Sequence, residues 1–140
     1  MTATLEVSVV ILYDGPLMLV NRRPEGSYHG GWWEWPGGKR HEGESALDCA
    51  RRELMEEIGF DQADLTEYCV ESADYPGRRV RLTFFVGRKP EGAQARPDAL
   101  EHRWLPPEEV RKLRFLEPNL PVLERLIDRP PFGADSGRSA

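Results

Sequence analysis

Three glutamates lie close together in this 140-residue chain, on a segment that follows a glycine-rich turn. Glu53, Glu56 and Glu57 fall on neighbouring positions of a predicted helix, where like charges repel by about 0.2–0.5 kcal/mol per pair. Carboxylates are preferred ligands of hard divalent cations, and such cations hold phosphate chains in enzymes. The cluster therefore predicts a divalent metal site that acts on phosphates. The alternative is a solvated acidic helix face.

The helix that carries these glutamates has recognisable end signals. Ser45 suits the N-cap, with Asp48 three residues on, and Gly59 suits the left-handed residue that ends a helix. At about 100° per residue, the acidic positions occupy an arc beside an apolar stripe. That stripe comprises Leu47, Ala50, Leu54 and Ile58. The acids are therefore expected at the edge of the packed face, where they can converge on one ion.

Residues around the acids indicate how a site would be completed. Arg52 lies just beyond the acidic arc and is expected to orient a carboxylate through a charge-assisted hydrogen bond. Glu44 lies a turn before the helix and is expected to close the site on its N-terminal side. The turn Pro36-Gly37-Gly38 lets backbone approach an ion or a phosphate, because glycine has no Cβ.

The spacing of these residues resembles the Nudix box, Gx5Ex7REUxEExGU, in which U is a bulky apolar residue. The match runs from Gly38 through Glu44 to Phe60 and holds at every defined position. The resemblance implies an α/β/α sandwich around a mixed β-sheet. It also implies an enzyme that cleaves a nucleoside diphosphate linked to another group, with water attacking phosphorus. The implied ligands of Mg²⁺, or of Mn²⁺ in its place, are Glu53, Glu56, Glu57 and the Gly37 carbonyl.

The general base stays open among the acidic residues. Glu53 is favoured, and Glu101 and Asp98 compete with it. Glu101 precedes Trp104 in a segment where the family often places a further carboxylate. The alternative for Glu101 is a solvated charge at a strand edge.

The segment Trp33-Glu34-Trp35-Pro36-Gly37-Gly38-Lys39 resembles the WEFPGGK stretch of the MutT branch of that family, with Trp35 in place of phenylalanine. That branch removes pyrophosphate from oxidised purine nucleoside triphosphates, notably 8-oxo-dGTP. By this resemblance Arg23 contacts the phosphates, Arg78 reaches toward the base and Asn119 reads the base. Tyr28 stands where the branch can carry a histidine. The other substrate-binding residues that the resemblance implies are Glu34, Trp35, Pro36, Gly37, Gly38 and Lys39.

The side chain of Asn119 could distinguish oxidised guanine from ordinary guanine through its hydrogen bonds. Guanine presents two acceptors on its Hoogsteen edge, N7 and O6, whereas oxidation at C8 places a proton on N7. A carboxamide has one donor and one acceptor, so it pairs with the oxidised edge and mismatches the ordinary one. The alternative is that Asn119 caps the last helix.

Tryptophans near the glycine turn can stack a base or fill the core, and Lys39 can reach a phosphate or lie exposed.

Two other functions stay open on the sequence. One is a Nudix pyrophosphohydrolase that acts on another nucleotide, such as a pyrimidine triphosphate, a dinucleotide polyphosphate or a nucleotide sugar. The other is a non-catalytic nucleotide sensor, against which the intact set of repelling acids argues.

Composition and charge narrow the partners. The net charge of −5 and the pI near 5.3 argue against duplex nucleic acid and membrane surfaces, since both attract cationic proteins. Cys49 and Cys69 lie in no metal or disulfide motif, which favours a reducing cytoplasm. The sequence has no signal-peptide pattern and no apolar run of the roughly 18 residues that span a membrane. The expected partner is a nucleotide, and the expected assembly is a monomer or a homodimer.

The elements around the acidic helix indicate an α+β domain. The predicted strands cover Leu5–Tyr13, Leu17–Asn21, Trp32–Trp35, Leu65–Tyr75, Arg79–Arg88 and Leu100–Leu105. Two further helices are predicted, one starting in the segment Pro106-Pro107-Glu108-Glu109 and one over Pro121–Asp128. Residues 1–128 are therefore expected to form one Nudix domain. Residues 129–140, rich in Pro, Gly, Ser and Arg, are expected to form a mobile tail.

Overall fold

Seven β-strands form one mixed sheet in the computed structural model, which describes residues 3–132. The strands are β1 Ala3–Asp14, β2 Leu17–Arg22, β3 Trp33–Glu34, β4 Gly37–Lys39, β5 Leu65–Tyr75, β6 Arg78–Arg88 and β7 His102–Leu105. The helices are α1 Ala46–Glu57, α2 Pro107–Val110 and α3 Leu120–Asp128, with a 3-10 turn at Glu117–Asn119 before α3. Each strand and helix predicted from the sequence is present, within a few residues of its expected ends.

Strand β1 connects the two parts of the sheet. It pairs antiparallel with β2 across a tight turn in which Gly15 has φ 57°. It also runs parallel to β6, with Ala3 opposite Arg78 and Tyr13 opposite Arg88. The strand order is β3-β2-β1-β6-β5, with β4 paired to β1 and β7 paired to β2. This parallel pair among antiparallel pairs makes the sheet mixed, as predicted.

Helices cover both faces of the sheet, because successive strand residues point to opposite faces and the buried strands are apolar on both. On one face α1 contributes Ala50, Leu54 and Ile58 to a core that includes Val10, Leu12, Leu19 and Phe85. On the other face α2 and α3 contribute Val110, Val122, Leu123 and Leu126 to a core that includes Val9, Ile11, Met18 and Phe84. The predicted α/β/α sandwich is confirmed.

The segment predicted as a glycine turn is instead a short strand. β4 pairs antiparallel with β1, with Gly38 opposite Ser8 and Gly37 opposite Val9. A Cβ on Gly37 would overlap the Ser8 carbonyl oxygen, so this close approach requires glycine. Ser8 Oγ also donates a hydrogen bond to the Ala46 carbonyl oxygen at 2.8 Å. Strand β4 and the start of α1 are therefore fixed side by side on β1.

The packed domain extends slightly beyond the boundary predicted at residue 128. The Phe132 ring lies edge-on to Tyr13, with ring centroids 5.4 Å apart. The Arg88 guanidinium lies over the same phenylalanine, 4.4 Å from its centroid. Residues 133–140, most of the predicted mobile tail, lie outside the described residues. Within residues 3–132 every helix is too short or too polar to cross a membrane.

Candidate active site

Helix α1 is held at both ends by contacts that set the position of its acidic side. At its start the Asp48 N–H donates to Ser45 Oγ at 3.0 Å, which is the N-cap that the sequence predicted. At its end Gly59 has φ 103°, so the chain leaves the helix through a left-handed residue, also as predicted. The Arg96 guanidinium donates to the Glu56 carbonyl oxygen. A loop residue thus satisfies a carbonyl in a last helical turn that has no basic residue of its own.

Arg52 contacts four groups of the predicted site at once. It pairs with both carboxylate oxygens of Glu44, with Nε to Oε2 at 2.7 Å and Nη2 to Oε1 at 3.0 Å. Its Nη1 lies 2.9 Å from Glu53 Oε2 and 3.1 Å from Glu56 Oε1. Its Nη2 also donates to the Lys39 carbonyl oxygen at 3.0 Å. The two-point pairing with Glu44 uses the planar fork that distinguishes arginine from lysine.

Strand β4 directs its backbone at the acids. The Gly37 N–H donates to Glu57 Oε1 at 2.9 Å. The Val10 N–H donates to the Pro36 carbonyl oxygen, which makes Val10 and Pro36 a hydrogen-bonded pair of the two strands. Such pairs alternate along an antiparallel ladder, so the next pair, Val9 and Gly37, is not hydrogen-bonded. The N–H and carbonyl groups of Gly37 therefore face away from β1. The Gly37 carbonyl therefore lies on the same strand edge as the Lys39 carbonyl. This edge faces α1.

Gly38 gives the Glu53 carboxylate room to lie against β4. A Cβ on Gly38 would lie 2.5 Å from both Cδ and Oε2 of Glu53, far inside normal contact. Any larger residue would push the carboxylate away from the strand. The two glycines thus allow two glutamates of α1, Glu53 and Glu57, to approach one short strand.

An open cleft of about 320 Å³ lies beside this arrangement. Its lining residues are Arg23, Pro24, Ser27, Glu34, Glu56, Glu57, Asp98 and Leu100. Glu34, on β3, accepts a hydrogen bond from Arg23 Nη1 at 3.0 Å, and its side chain is 13% exposed. The cleft therefore combines carboxylates that attract a cation with an arginine that can meet an anion.

Burial and repulsion set the charge states of the acids. Burial raises the pKa of Glu57 to about 8, and the nearby charges of Glu34 and Glu53 act in the same direction. Burial also raises the pKa of Glu34 and of Glu53, against the opposing effect of their arginine partners. Glu44 behaves oppositely, because its hydrogen bonds with Arg52 lower its pKa to about 2. Burial thus disfavours the ionised form of these three acids, and a cation bound beside them would favour it.

The donor set fits a hard divalent cation. In residues 3–132, no three acidic, histidine or cysteine side chains converge on one point in their present rotamers. Glu53 and Glu56 are directed at Arg52, and Glu57 is bonded to the Gly37 N–H. Carboxylate oxygens and a backbone carbonyl are nevertheless the ligands that Mg²⁺ takes. Binding such an ion would require the Glu53 and Glu56 carboxylates to turn from Arg52 and converge with the Glu57 carboxylate on one point beside β4.

Comparison with known proteins decides the family. A family model described as the NUDIX domain matches residues 3–126. The chain belongs to the Nudix family. Nudix hydrolases cleave phosphoanhydride bonds, and in general they use divalent metal ions.

Individual Nudix relatives differ in substrate. An 8-oxo-dGTP diphosphatase of Proteus vulgaris is 39% identical over 69 residues, which cover 49% of this chain and 62% of that protein, less than two thirds of its length. A CTP pyrophosphohydrolase of Escherichia coli K12 is 32% identical over 125 residues, which cover 86% of this chain and 89% of that protein. A solved MutT structure, from work on Aliivibrio salmonicida and Vibrio cholerae, has a TM-score of 0.70 at 25% identity and covers 90% of this chain and 98% of that one. The chain is a Nudix pyrophosphohydrolase whose substrate these relatives leave undecided.

The raised pKa values predict how the Nudix domain responds to pH and metal. A carboxyl whose pKa is higher in the folded than in the unfolded protein stabilises the fold at low pH, and this contribution is lost as pH rises through the folded value. For Glu57 the loss runs from about pH 4.5 to about pH 8. Without metal we expect the Tm to fall across this window. We expect Mg²⁺ to restore it most at the upper end, where the acids are ionised.

Thermal unfolding at a series of pH values, with EDTA or with MgCl₂, measures this linkage. The Glu57→Gln variant is the control, because its Tm without metal should depend less on pH. A Tm at pH 8–9 that is the same with and without divalent metal would contradict the prediction.

Of the three residues weighed as the general base, Glu53 and Glu101 are both absent from the cleft lining. Glu53 lies against β4 and contacts Arg52. Glu101 pairs with Arg22 at 3.4 Å, and the Arg22 N–H also donates to its carbonyl oxygen. A catalytic role of Glu101 stays a prediction. Asp98 does line the cleft, and it pairs with Arg96 at 3.3 Å.

The predicted role of the Trp35 side chain requires a correction. Its residue surface is 2% exposed, and its ring packs edge-on against Phe84 and Phe115. Trp33 is also buried. Both rings fill the core on the α3 face, so the predicted contact of the Trp35 side chain with substrate is wrong for this arrangement.

Tyr28, Lys39 and Arg78 are among the predicted substrate residues that lie outside the cleft lining. Tyr28 is 80% exposed on the loop between β2 and β3, and Lys39 is exposed on β4. Arg78 begins β6, five residues before Thr83, which lies across β1 from Gly38. At about 3.3 Å per strand residue, Arg78 is roughly 16 Å from that level of the sheet. Contacts of these residues with a nucleotide stay predictions.

Asn119 lies in the 3-10 turn before α3 and is 6% exposed. Its side chain makes no capping hydrogen bond with α3, which argues against the capping alternative. The Leu116 N–H donates to the Trp33 carbonyl oxygen at 3.0 Å, so this turn runs beside β3. A buried carboxamide therefore lies near the strand that carries Glu34.

Four residues near the cleft were not predicted. Pro24, Ser27 and Leu100 line it, and they carry no chemical signal in the sequence. Asn21, which donates to Glu34, did have a signal: it is a polar residue directly after the apolar run from Leu17 to Val20. A polar side chain at the end of a buried strand often faces a site.

Proposed function

We propose that this Nudix hydrolase converts an oxidised purine nucleoside triphosphate, 8-oxo-dGTP, to 8-oxo-dGMP and pyrophosphate. The observation that supports this substrate is Asn119, a buried carboxamide at the N-cap position of α3 whose side chain makes no capping hydrogen bond. Such a group pairs with the donor and acceptor that oxidised guanine presents together. Ordinary guanine offers two acceptors on that edge, so one hydrogen bond would be replaced by a repulsion.

The α1 acids and β4 support the proposed metal site. Glu53, Glu56, Glu57 and the Gly37 carbonyl would hold Mg²⁺, with Mn²⁺ expected to substitute. When bound, the ion supplies positive charge that offsets the charge of the phosphate oxygens. Phosphoryl transfer depends mainly on such neutralisation and on positioning.

The remaining roles fall to residues of the cleft. Glu53, which lies against β4, is the proposed general base for the attacking water. Its competitors are Asp98, which lines the cleft, and Glu101. Glu44 acts through Arg52, which holds the carboxylates in place until the ion arrives. Arg23 is the proposed phosphate ligand.

A pyrimidine triphosphate is the second candidate substrate. The CTP pyrophosphohydrolase of E. coli aligns with most of this chain, whereas the Proteus 8-oxo-dGTP diphosphatase aligns with about half. A carboxamide also complements cytosine, whose N4 amine donates and whose ring N3 accepts. Dinucleotide polyphosphates, nucleotide sugars and a non-catalytic sensor role rank below these two.

A nucleotide panel tests the proposal directly. The protein is incubated with Mg²⁺ and 8-oxo-dGTP, dGTP, CTP, a dinucleotide polyphosphate or a nucleotide sugar, and released pyrophosphate and orthophosphate are measured. The proposal predicts pyrophosphate release with a kcat/KM for 8-oxo-dGTP far above that for dGTP. Equal kcat/KM values for 8-oxo-dGTP and dGTP would refute 8-oxo-dGTP as the specific substrate. A higher kcat/KM for CTP would favour the pyrimidine triphosphate. Absence of turnover on every nucleotide would support the sensor.

The Asn119→Ala variant isolates base reading. We expect the preference for 8-oxo-dGTP over dGTP to fall by about 10- to 100-fold, since a site built on hydrogen bonds loses discrimination when they are removed. Hydrolysis itself should stay detectable, because the variant leaves the acids intact. Glu117→Ala, an exposed change in the same 3-10 turn, is the matched control. An unchanged preference in Asn119→Ala would remove Asn119 from the site.

We also propose the setting of this activity. Removal of oxidised nucleotides from the precursor pool would place the enzyme in the cytoplasm and in the prevention of DNA damage. Its partner would be the nucleotide alone, with no duplex nucleic acid and no membrane, and its assembly a monomer or a homodimer.

A further inference from the structure

Asn21 occupies an unusual place on the α1 face of the sheet. It follows the buried apolar residues of β2 and is itself 0% exposed. In the register of the sheet it lies opposite Glu34 of β3 on one side and His102 of β7 on the other. A polar row thus crosses three strands.

Burial of Asn21 is not explained by a gain in folding stability, because only one end of its amide is hydrogen-bonded. Its Nδ2 donates to Glu34 Oε2 at 3.3 Å. Its Oδ1 is buried, and among residues 3–132 it has no hydrogen-bond partner. A buried acceptor without a partner costs folding free energy, and an apolar side chain of similar size would avoid that cost. The interaction that the residue does supply is directed at Glu34.

Glu34 connects Asn21 to the cleft, because it also contacts Arg23. Its other oxygen, Oε1, accepts from Arg23 Nη1 at 3.0 Å. Arg23 Nε also donates to the Tyr28 carbonyl oxygen at 2.6 Å, so its guanidinium is held from two sides. Both Arg23 and Glu34 line the cleft beside Glu57. The orientation of the guanidinium therefore depends on where Glu34 is fixed.

We propose that Asn21 is a positioning residue for substrate binding. Its amide fixes the Glu34 carboxylate, which in turn holds the Arg23 guanidinium at the cleft wall in the orientation that receives the phosphates. This inference rests on the proposed function, in which Arg23 contacts the phosphate chain. Asn21 itself is absent from the residues that line the cleft.

The Asn21→Leu variant tests the inference through a split between KM and kcat. Leucine has a similar size and lacks the donor. We expect KM for the best nucleotide of the panel to rise by about tenfold, kcat to stay within about threefold, and the Tm to stay within a few degrees. If Asn21→Leu does not fold, Asn21→Val, which suits a strand, replaces it. An unchanged KM would overturn the inference, as would a lower kcat at unchanged KM.

A double-mutant cycle with Glu34→Gln separates positioning from general damage. If Asn21 acts through Glu34, its substitution should add less than about twofold to KM once Glu34 is already glutamine. Full additivity, or a loss of Tm that accounts for the loss of binding, would overturn the inference.

Arg23→Ala distinguishes this failure from failure of the proposed function. A raised KM in Arg23→Ala with a normal KM in Asn21→Leu would overturn the role of Asn21 alone. A normal KM in Arg23→Ala would overturn the proposed phosphate contact of Arg23, and the inference with it. Titration calorimetry with a non-hydrolysable nucleotide analogue gives the same comparison without turnover.

Discussion

Glu57→Gln is expected to lower kcat by on the order of 10³-fold while the protein stays folded. Glutamine keeps an oxygen for the Gly37 N–H, yet it lacks the charge with which Glu57 would hold a divalent cation. Because burial raises the pKa of Glu57 to about 8, ionisation there costs stability at higher pH. The neutral variant should therefore have an equal or higher Tm than the parent at pH 8.5 in EDTA. Pyrophosphate release and thermal unfolding measure the two effects.

Glu67→Gln is the matched control for this change, since Glu67 is exposed on β5 on the far side of the sheet from β4. Its kcat and Tm should equal those of the parent. Activity of Glu57→Gln within tenfold of the parent would show that Glu57 does not hold the ion. A large loss of Tm in EDTA would show that the carboxylate serves stability instead.

Arg52→Lys is expected to lower kcat/KM by about 10²-fold, although the charge is kept. The guanidinium reaches Glu44 at two points while also contacting Glu53 and Glu56. An ammonium group is a point charge and cannot keep these contacts together. The carboxylates would then lose their common orientation, and the affinity for Mg²⁺ should fall with the rate. Steady-state kinetics over a range of Mg²⁺ concentrations, together with metal titration calorimetry, measures both.

The neighbouring helix residue provides the control. Arg51 is exposed, so Arg51→Lys should leave kcat/KM and metal affinity unchanged. If Arg52→Lys keeps kcat/KM within threefold of the parent, the planar geometry of the arginine is unimportant and its role is only to balance charge.

Much of the fold follows from local patterns in the sequence. The N-cap Ser45, the terminal Gly59 and the apolar stripe on α1 all appear where the residue types predict them, because capping and amphipathicity act within one helix. The hairpins follow from alternation and turn residues in the same way. Strand β4 was not predicted, since three residues with two glycines carry no strand preference and gain their pairing only from β1.

The site was predictable in its chemistry more than in its geometry. The acids of α1 share one helix, so their proximity follows from spacing alone. Asp98 and Glu101 lie only three residues apart, yet one lines the cleft and the other pairs with Arg22. Only the packing of the loop against the end of α1 separates them. Trp35 likewise enters the core because of Phe84 and Phe115, which are distant in sequence.

The parallel pairing of β1 with β6 has a consequence for how the chain is made. Ala3 and its neighbours meet partners that begin at Arg78, so this edge of β1 stays unpaired until more than half of the chain has left the ribosome. The contacts of β1 with β2, β4 and α1 need only residues up to 57. The segment that carries β1, β2, β4 and the α1 acids can therefore fold first, whereas β6 completes the sheet late, as long-range pairings do. Until then the backbone N–H and C=O groups on this edge of β1, including the apolar run Val9 to Leu12, have no strand to pair with.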